Sequence, residues 1–367
     1  MQISYEKLEE ILSSQSTLLI VRGEASYSLS GLEIFLKKFN KINKTYYWIV
    51  KSKDPDSKEI EDLSSLITRI KPSLILSCGG GTVIDTTKAA SFLSRQTLDL
   101  VSLLEGKRMQ DSEKVEEVAI PTTCGTGSES THFAVIYKDR VKYSLADKSM
   151  KPNYFYLDGS FLAKLPPKHI LSSSLDAFSQ SIESFWAKSS TRESRLMSVE
   201  GMRLFSENYN SLLTVDNVNQ LNLMLTCANK AGQAINITKT TAPHAISYYL
   251  SKKLNLPHGF SVFLTLPEIF QFTLSEIITN GDKLDVEIIY KSMMCKNFDD
   301  AFFLLREVRK QAAVYMDIPS LNSQEIEELS LEASESVNQE RLSNHPVELD
   351  KKTISELTHA GLKEVFL

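Results

Sequence analysis

The run Leu74-Ile75-Leu76-Ser77-Cys78-Gly79-Gly80-Gly81-Thr82-Val83-Ile84-Asp85 carries the reading of the fold. Its apolar start, Leu74-Ile75-Leu76, reads as a buried strand, and Thr82 to Leu93 continues as a helix. Glycines between them let the backbone approach a ligand closely, because no Cβ stands in the way. Backbone N–H groups at the start of the helix then face an anion. A second stretch repeats the pattern. Val118-Ala119-Ile120 precedes Pro121-Thr122-Thr123-Cys124-Gly125-Thr126-Gly127-Ser128-Glu129. Two such loops with Thr and Ser hydroxyls indicate a site for a pyrophosphate-bearing nucleotide.

Working outward, the first 160 or so residues alternate strand and helix patterns. Thr17-Leu18-Leu19-Ile20-Val21 reads as a strand ending at Gly23, and Tyr46-Tyr47-Trp48-Ile49-Val50 as a second. Helical spacing runs over Leu32 to Phe39 and Ile60 to Ile70. Phe133 to Tyr137 and Val141 to Leu145, joined by Lys138-Asp139-Arg140, read as a hairpin. Tyr154 to Asp158 reads as a last strand. Alternation of this kind predicts a parallel sheet with helices on both faces.

After Pro166-Pro167 the texture changes to helical periodicity. Expected helices are Ile170 to Trp186, Glu193 to Tyr209, Leu221 to Ile235, Ala242 to Leu250, Leu284 to Met293, Ala301 to Met316, Ile326 to Val337 and Thr353 to Leu362. The expected division is therefore an α/β dinucleotide-binding domain over 1–164 and an all-α metal and substrate domain over 165–367.

The chain has 367 residues, with 42% hydrophobic and 24% charged, enough for two substantial cores. A net charge of −5 with scattered basic residues leaves no electrostatic footprint for nucleic acid. No segment approaches the roughly 20 apolar residues of a membrane helix. The opening Met1-Gln2-Ile3-Ser4-Tyr5-Glu6-Lys7 lacks signal-peptide order. Cys78, Cys124, Cys227 and Cys295 form no CxxC pair, so reduced thiols and a cytoplasmic location are expected. Cys124 reads as a small buried thiol rather than a nucleophile.

Six histidines occur, two of them close together in Pro243-His244-Ala245 and Pro257-His258-Gly259. Asp176 and Gln180 stand at i and i+4 and so share a helix face. One carboxylate, one amide and two imidazoles would complete a mixed N/O site for Fe²⁺, Zn²⁺ or Mn²⁺. Spacing alone equally describes structural histidines.

The chain resembles the iron-containing (group III) alcohol dehydrogenases over nearly its full length. The matching pieces are GGGTVID followed by Thr86-Thr87-Lys88, PTTCGTGSE, the LDAFSQSIE helix, His244 with Pro257-His258-Gly259, and the closing Asn344-His345-Pro346. The resemblance implies a dinucleotide domain followed by a helical metal domain, an architecture shared with dehydroquinate synthase. It implies Asp176, Gln180, His244 and His258 as metal ligands, with Gln180 standing where the family normally has His. It also implies hydride transfer involving NADP(H) or NAD(H). Gly79, Gly80, Gly81, Thr82 and Asp85 would line the pyrophosphate and nicotinamide ribose, and Thr122, Thr123, Thr126 and Ser128 would complete that cradle. Tyr248, one turn after His244, replaces another family His and would donate a hydrogen bond or proton. A homodimer is the expected assembly, since the family is commonly dimeric or larger.

Cofactor choice is read after the second strand, in Val50-Lys51-Ser52-Lys53, where Lys and Ser would suit a 2′-phosphate and favour NADP(H). Substrate choice is read in Thr238-Lys239-Thr240-Thr241, where an ammonium and three hydroxyls suit an oxyanion. Arg192 and Arg195, at the start of a helix, also favour an anion. The stretch from Thr238 to Tyr248 resembles the phosphonoacetaldehyde reductase branch of the family, which makes 2-hydroxyethylphosphonate in phosphonate biosynthesis. A small anionic aldehyde or alcohol is the expected substrate, with Lys239 and Tyr248 as the catalytic candidates. Aliphatic aldehydes, lactaldehyde and succinic semialdehyde are alternatives. So are a dehydroquinate synthase-like lyase and a nucleotide-binding protein that has lost its metal.

Overall fold

A computed structural model describes residues 1–39, 44–107, 113–139, 141–210, 217–281 and 284–367. The described chain divides into two compact units. One holds Met1–Thr123 with Gly127–Leu165, and the other Cys124–Thr126 with Pro166–Leu367.

The first unit begins with helix α1 (Tyr5–Ser13), strand β1 (Thr17–Gly23) and the short helices α2 (Glu24–Leu29) and α3 (Leu32–Leu36). Strand β2 (Lys44–Val50), helix α4 (Ser57–Ile70), strand β3 (Leu74–Gly79) and helix α5 (Gly81–Leu93) follow. Helix α6 (Leu100–Leu104), strand β4 (Glu116–Pro121), the hairpin β5 (Phe133–Lys138) and β6 (Val141–Ala146), and strand β7 (Tyr154–Phe155) complete it. The sheet order is β2-β1-β3-β4-β7, all parallel, with β5-β6 a separate antiparallel pair. The chain moves from β1 outward to β2, then crosses to β3 on the other side of β1. That reversal places a crevice beyond the carboxyl ends of β1 and β3, where open α/β sheets bind ligands. Gly79-Gly80-Gly81 leaves β3 at that point.

One face of the sheet, with Leu19, Val21 and Ile75, packs on Ile60, Leu63 and Ile67 of α4 and on Ala89, Ala90 and Phe92 of α5. Burial on both faces explains why Leu74 to Cys78 reads as a continuous apolar run rather than an alternating one. The last strand is shorter than its sequence suggests, because only Tyr154 and Phe155 pair with β4. In the hairpin turn, Arg140 lies outside the described residues.

The second unit is helical. Its first helices are α7 (Pro167–Trp186), α8 (Arg192–Asn208), α9 (Val218–Thr238), α10 (Ala242–Leu254) and α11 (His258–Phe263). After them come α12 (Leu266–Thr279), α13 (Val286–Ser292), α14 (Phe298–Ala313), α15 (Ser323–Glu335), α16 (Gln339–Ser343) and α17 (Lys351–Phe366). Helix α7 is buried all round from Ser174 to Trp186, packed by α8, α9 and α11. Its serines make that possible. They are small, and Ser179 and Ser181 satisfy their hydroxyls on the carbonyls of Leu175 and Ala177 at 2.8 and 2.9 Å. Phe178 stacks on Phe205 of α8 at a centroid distance of 4.0 Å.

Helix α12 is absent from the sequence reading. Leu266 to Phe270 are buried all round, and the exposed side that follows mixes Gln271 and Ser275 with the apolar Ile278, so the polar face is too short to set a clear helical period. No helix among the described residues is long and apolar enough to cross a membrane.

Candidate functional site

In the first unit, the glycine loop opens helix α5 with Gly80 at the N-cap and no side-chain cap bond. The N–H groups of Gly81 and Thr82 precede the first bonds of the helix, which Val83 and Ile84 make to Gly80 O, and so can face an anion. Gly79 has a steric reason to be glycine, since a Cβ there would stand 2.5 Å from Val83 Cγ2. The second loop is tied to the first, with Thr122 N donating to Gly79 O at 3.0 Å. Thr123 faces Gly80, and a Cβ on Gly80 would stand 3.1 Å from Thr123 Cγ2. Thr122 Oγ1 is buried with no hydrogen-bond partner among the described residues.

Asp85 and Ser128, expected as cofactor contacts, are engaged with each other: the Ser128 hydroxyl donates to Asp85 Oδ1. Asp85 Oδ2 accepts from Val135 N at 2.9 Å. Lys88 stands 3.0 Å from Asp85 and donates to Ser128 O and Thr131 Oγ1 at 3.0 and 2.8 Å. Lys88 is fully buried, so its charge requires these partners. The structure therefore gives Asp85 and Ser128 the task of locking the two loops together. Thr82 donates to Lys53 O at 3.0 Å, joining the glycine loop to the segment after β2. Thr126 is exposed and clusters with the second unit.

The segment after β2 adds an acidic side chain to the place where a 2′-phosphate was expected. The Glu59 carboxylate, from the first turn of α4, accepts from Lys51 N at 2.9 Å and Ser52 N at 3.2 Å. The backbone amides of Lys51 and Ser52 thus hold an anion, while the Lys51 side chain is exposed.

In the second unit, α7 presents Asp176, Gln180 and Glu183 along one face, at i, i+4 and i+7. His244 lies in the first turn of α10 and His258 opens α11. One ligand atom each from Asp176, His244 and His258 lies within 4.8 Å of the others. His244 Nε2 is 3.1 Å from Asp176 Oδ1, and His258 Nε2 is 3.8 Å from the same oxygen. Asp176, Gln180 and His244 are buried, whereas the His258 side chain is 42% exposed. Gly259 lets α11 approach this closely, because a Cβ there would stand 1.9 Å from Ser172 O and 2.8 Å from Asp176 Cβ.

Burial works to raise the Asp176 pKa, but the His244 hydrogen bond and the charges of His258 and His244 hold it below the usual carboxylate range. Burial works to lower that of His244, and the facing Glu183 and Asp176 carboxylates override it, pushing it up to about 10.

These residues fit a divalent cation. Gln180 hydrogen bonds to Asp176, yet its Oε1 is buried with no partner among the described residues. A buried carbonyl oxygen without a donor is costly, and a cation would supply what it lacks. Two imidazoles, a carboxylate and an amide oxygen form a mixed N/O set suited to Fe²⁺, Zn²⁺ or Mn²⁺.

The neighbouring polar side chains differ from the expected oxyanion cradle. Lys239 caps the C-terminus of α9 at φ 62, ψ −174, a conformation most side chains avoid. Its side chain is 47% exposed and its ammonium pairs with Glu340. Thr238 donates to Ser184 Oγ at 2.8 Å, and Thr241 donates to Glu183 at 3.0 Å. Buried hydroxyls need partners, and these two find them inside the helical unit. Asn344 of the closing motif braces the same turn, donating to Thr238 O at 2.7 Å and Thr240 O at 3.2 Å. Arg195 bonds Ser190 Oγ at 2.9 Å and lies over the Phe185 ring. Tyr248 is half-buried and stacks on His258 at 5.9 Å with an interplanar angle of 12°. Cys124 is a buried thiol against Ser173 and Ser174, its pKa pushed up by burial.

Comparison with known proteins agrees with this geometry. Residues 3–159 match the family model for iron-containing alcohol dehydrogenase, and 170–362 match the C-terminal model of the same family. The chain is 28% identical over 260 residues to 4-hydroxybutyrate dehydrogenase of Clostridium kluyveri, covering 70% of this chain and 69% of that one. It is 32% identical over 241 residues to phosphonoacetaldehyde reductase of Streptomyces viridochromogenes, covering 63% of this chain and 60% of that one. The match thus spans about three fifths of that reductase. An iron-containing alcohol dehydrogenase structure from Thermococcus thioreducens superposes with a TM-score of 0.84 at 20% identity, covering 99% of this chain and 97% of that one. With both halves of the chain matched, the protein belongs to the iron-containing alcohol dehydrogenase family, oxidoreductases that use NAD(P) and a divalent metal.

Proposed function

We propose that the protein reduces a small anionic aldehyde with NAD(P)H, and that phosphonoacetaldehyde, giving 2-hydroxyethylphosphonate, is its substrate. The observation that carries the reductase reading is the Asp176–His244–His258 cluster, half-buried at His258, with the unpartnered Gln180 Oε1 beside it. Asp176, Gln180, His244 and His258 would hold a divalent cation there, which would supply polarisation of a carbonyl oxygen. The bound dihydronicotinamide would supply the hydride to the carbonyl carbon, and one proton would complete the alcohol. We assign that proton to the Tyr248 hydroxyl, whose ring is fixed against His258. The loops at Gly79–Thr82 and Thr122–Thr123 hold the cofactor, with the pyrophosphate on the α5 N-terminus.

The anionic substrate class rests on the relatives. Phosphonoacetaldehyde reductase and 4-hydroxybutyrate dehydrogenase both bear names that describe short chains ending in an anion. Lys239 is the cation offered to that anion in this reading, which requires it to leave Glu340. The pair is exposed, and such pairs hold their partners weakly. For the cofactor, the Glu59 carboxylate of α4, bonded to the amides that follow β2, favours NAD(H), because it would repel a 2′-phosphate.

The test follows NADH and NADPH oxidation after loading with Fe²⁺, Zn²⁺ or Mn²⁺. The aldehydes are phosphonoacetaldehyde, succinic semialdehyde and propanal. Highest kcat/KM for phosphonoacetaldehyde, with one nicotinamide oxidised per alcohol formed, is the expected result. Preference for propanal would overturn the anionic class. Substrate conversion that leaves the nicotinamide unchanged would mean a lyase of dehydroquinate synthase type.

A further inference from the structure

Glu183 has no role in the sequence reading, although it closes the LDAFSQSIE stretch. It is fully buried on α7, and its carboxylate gathers donors from one place, the start of α10. Oε1 accepts from Thr241 N at 2.9 Å, Thr241 Oγ1 at 3.0 Å and His244 N at 3.3 Å. Oε2 meets His244 Nδ1. The Thr241 hydroxyl is in turn held by Trp186 Nε1 at 2.9 Å. Two of the donors are N–H groups at a helix N-terminus, which otherwise lack partners within the helix.

We infer that Glu183 is the positioning residue of the metal site, fixing His244 so that Nε2 is the nitrogen offered to the cation. The inference rests on the metal reading above. A carboxylate only accepts, so the nitrogen facing it must carry the hydrogen. Nε2 faces Asp176 Oδ1 at 3.1 Å and so also carries a hydrogen in the metal-free protein. With Nδ1–H held by Glu183, Nε2 is the nitrogen whose hydrogen a cation beside Asp176 would replace. The same carboxylate anchors the backbone of α10, so ring and helix are set together. Such partners orient metal-bound imidazoles and strengthen them as ligands.

Glu183→Gln separates this role from a structural one. An amide retains one acceptor for the helix N–H groups, while its NH₂ donates to Nδ1 and moves the hydrogen to Nε2. Zn²⁺ affinity is measured on the metal-depleted full chain by competition with a chelator, with thermal unfolding of the same samples. The expected result is Zn²⁺ binding weakened by about 10- to 100-fold. Unchanged affinity in a variant with lowered thermal stability would make Glu183 a helix anchor only and overturn the inference. If Glu183→Gln does not fold, Thr241→Val is read in the same titration. It removes one donor that holds the carboxylate, and at least threefold weaker binding is expected, with unchanged affinity counting against the proposal. A parent protein that binds no Zn²⁺ would overturn the metal reading and this proposal with it.

Discussion

Replacing Gln180 by Leu tests whether its buried oxygen is there for a cation. In the metal-free protein two effects oppose. The variant loses the amide hydrogen bond to Asp176, a bond to a charged group contributing about 1.5–3 kcal/mol. It also removes the unpartnered Oε1, whose burial costs about 1–3 kcal/mol. The two nearly cancel, so metal-free stability should stay within about 1 kcal/mol, a Tm change within roughly 4 °C. With metal present there is no cancellation. Loss of one ligand oxygen should weaken binding by at least about tenfold, or about 1.4 kcal/mol. At a metal concentration of about 100 times the parent Kd, the parent gains about 2.7 kcal/mol and the variant about half that. The assay is thermal unfolding of chelator-treated parent and variant across a Mn²⁺ titration. An unchanged metal-induced rise in Tm would refute the reasoning, because Oε1 would then contribute nothing to the cation. A variant much less stable without metal would show that the amide serves the core of α7 instead.

Three further outcomes follow from the structure. Gly259→Ala should lower stability by about 1–3 kcal/mol and abolish tight metal binding, since the new methyl would push α11 and His258 away from Ser172 and Asp176; unchanged Tm and metal titration would contradict the packing argument. Glu59→Gln should raise kcat/KM with NADPH relative to NADH by about tenfold, or about 1.4 kcal/mol; a parent enzyme that already prefers NADPH would remove its basis. Glu117 is buried in β4, and burial, only partly offset by Lys114 and Lys88, raises its pKa to about 7 from an ordinary 4.5. A raised folded-state pKa gives stability that is complete below about pH 4.5 and lost as the pH rises through about 7, a change of roughly 3 kcal/mol. Glu117→Gln should flatten unfolding stability between those pH values, and an unaltered slope would refute the assignment.

Much of this was legible in the chain itself. The continuous apolar runs at Leu74 and Val118, each ending in a glycine loop, announce a buried parallel sheet with a nucleotide at its carboxyl edge. A strand covered on both faces needs no alternation, and a helix N-terminus needs only backbone to bind an anion. The change to helical period after Pro166-Pro167 marks the second half. Asp176 and Gln180 announce themselves by their i, i+4 spacing, and Glu183 extends the same face by one more turn.

Other features depended on groups far apart in sequence. Helix α12 is hidden because its first residues, Leu266 to Phe270, are buried all round and its exposed side carries the apolar Ile278, which blurs the polar stripe that reveals a helix. Lys239 and its threonines look like an oxyanion cradle in one dimension. In the fold, Glu340 takes the ammonium, and Ser184 and Glu183 take two of the hydroxyls. Lys51 and Ser52 suit a phosphate in one dimension, but the fold sets the Glu59 carboxylate, eight and seven residues on, against their backbone amides. The metal cluster is the clearest case. Spacing names Asp176, His244 and His258 as capable ligands, but only tertiary packing brings α7, α10 and α11 together. Residue types determine which chemistry is available, because donors and acceptors are fixed by covalent structure. Which donor meets which acceptor is decided by burial, since each polar group removed from water must find a partner among those the fold places beside it.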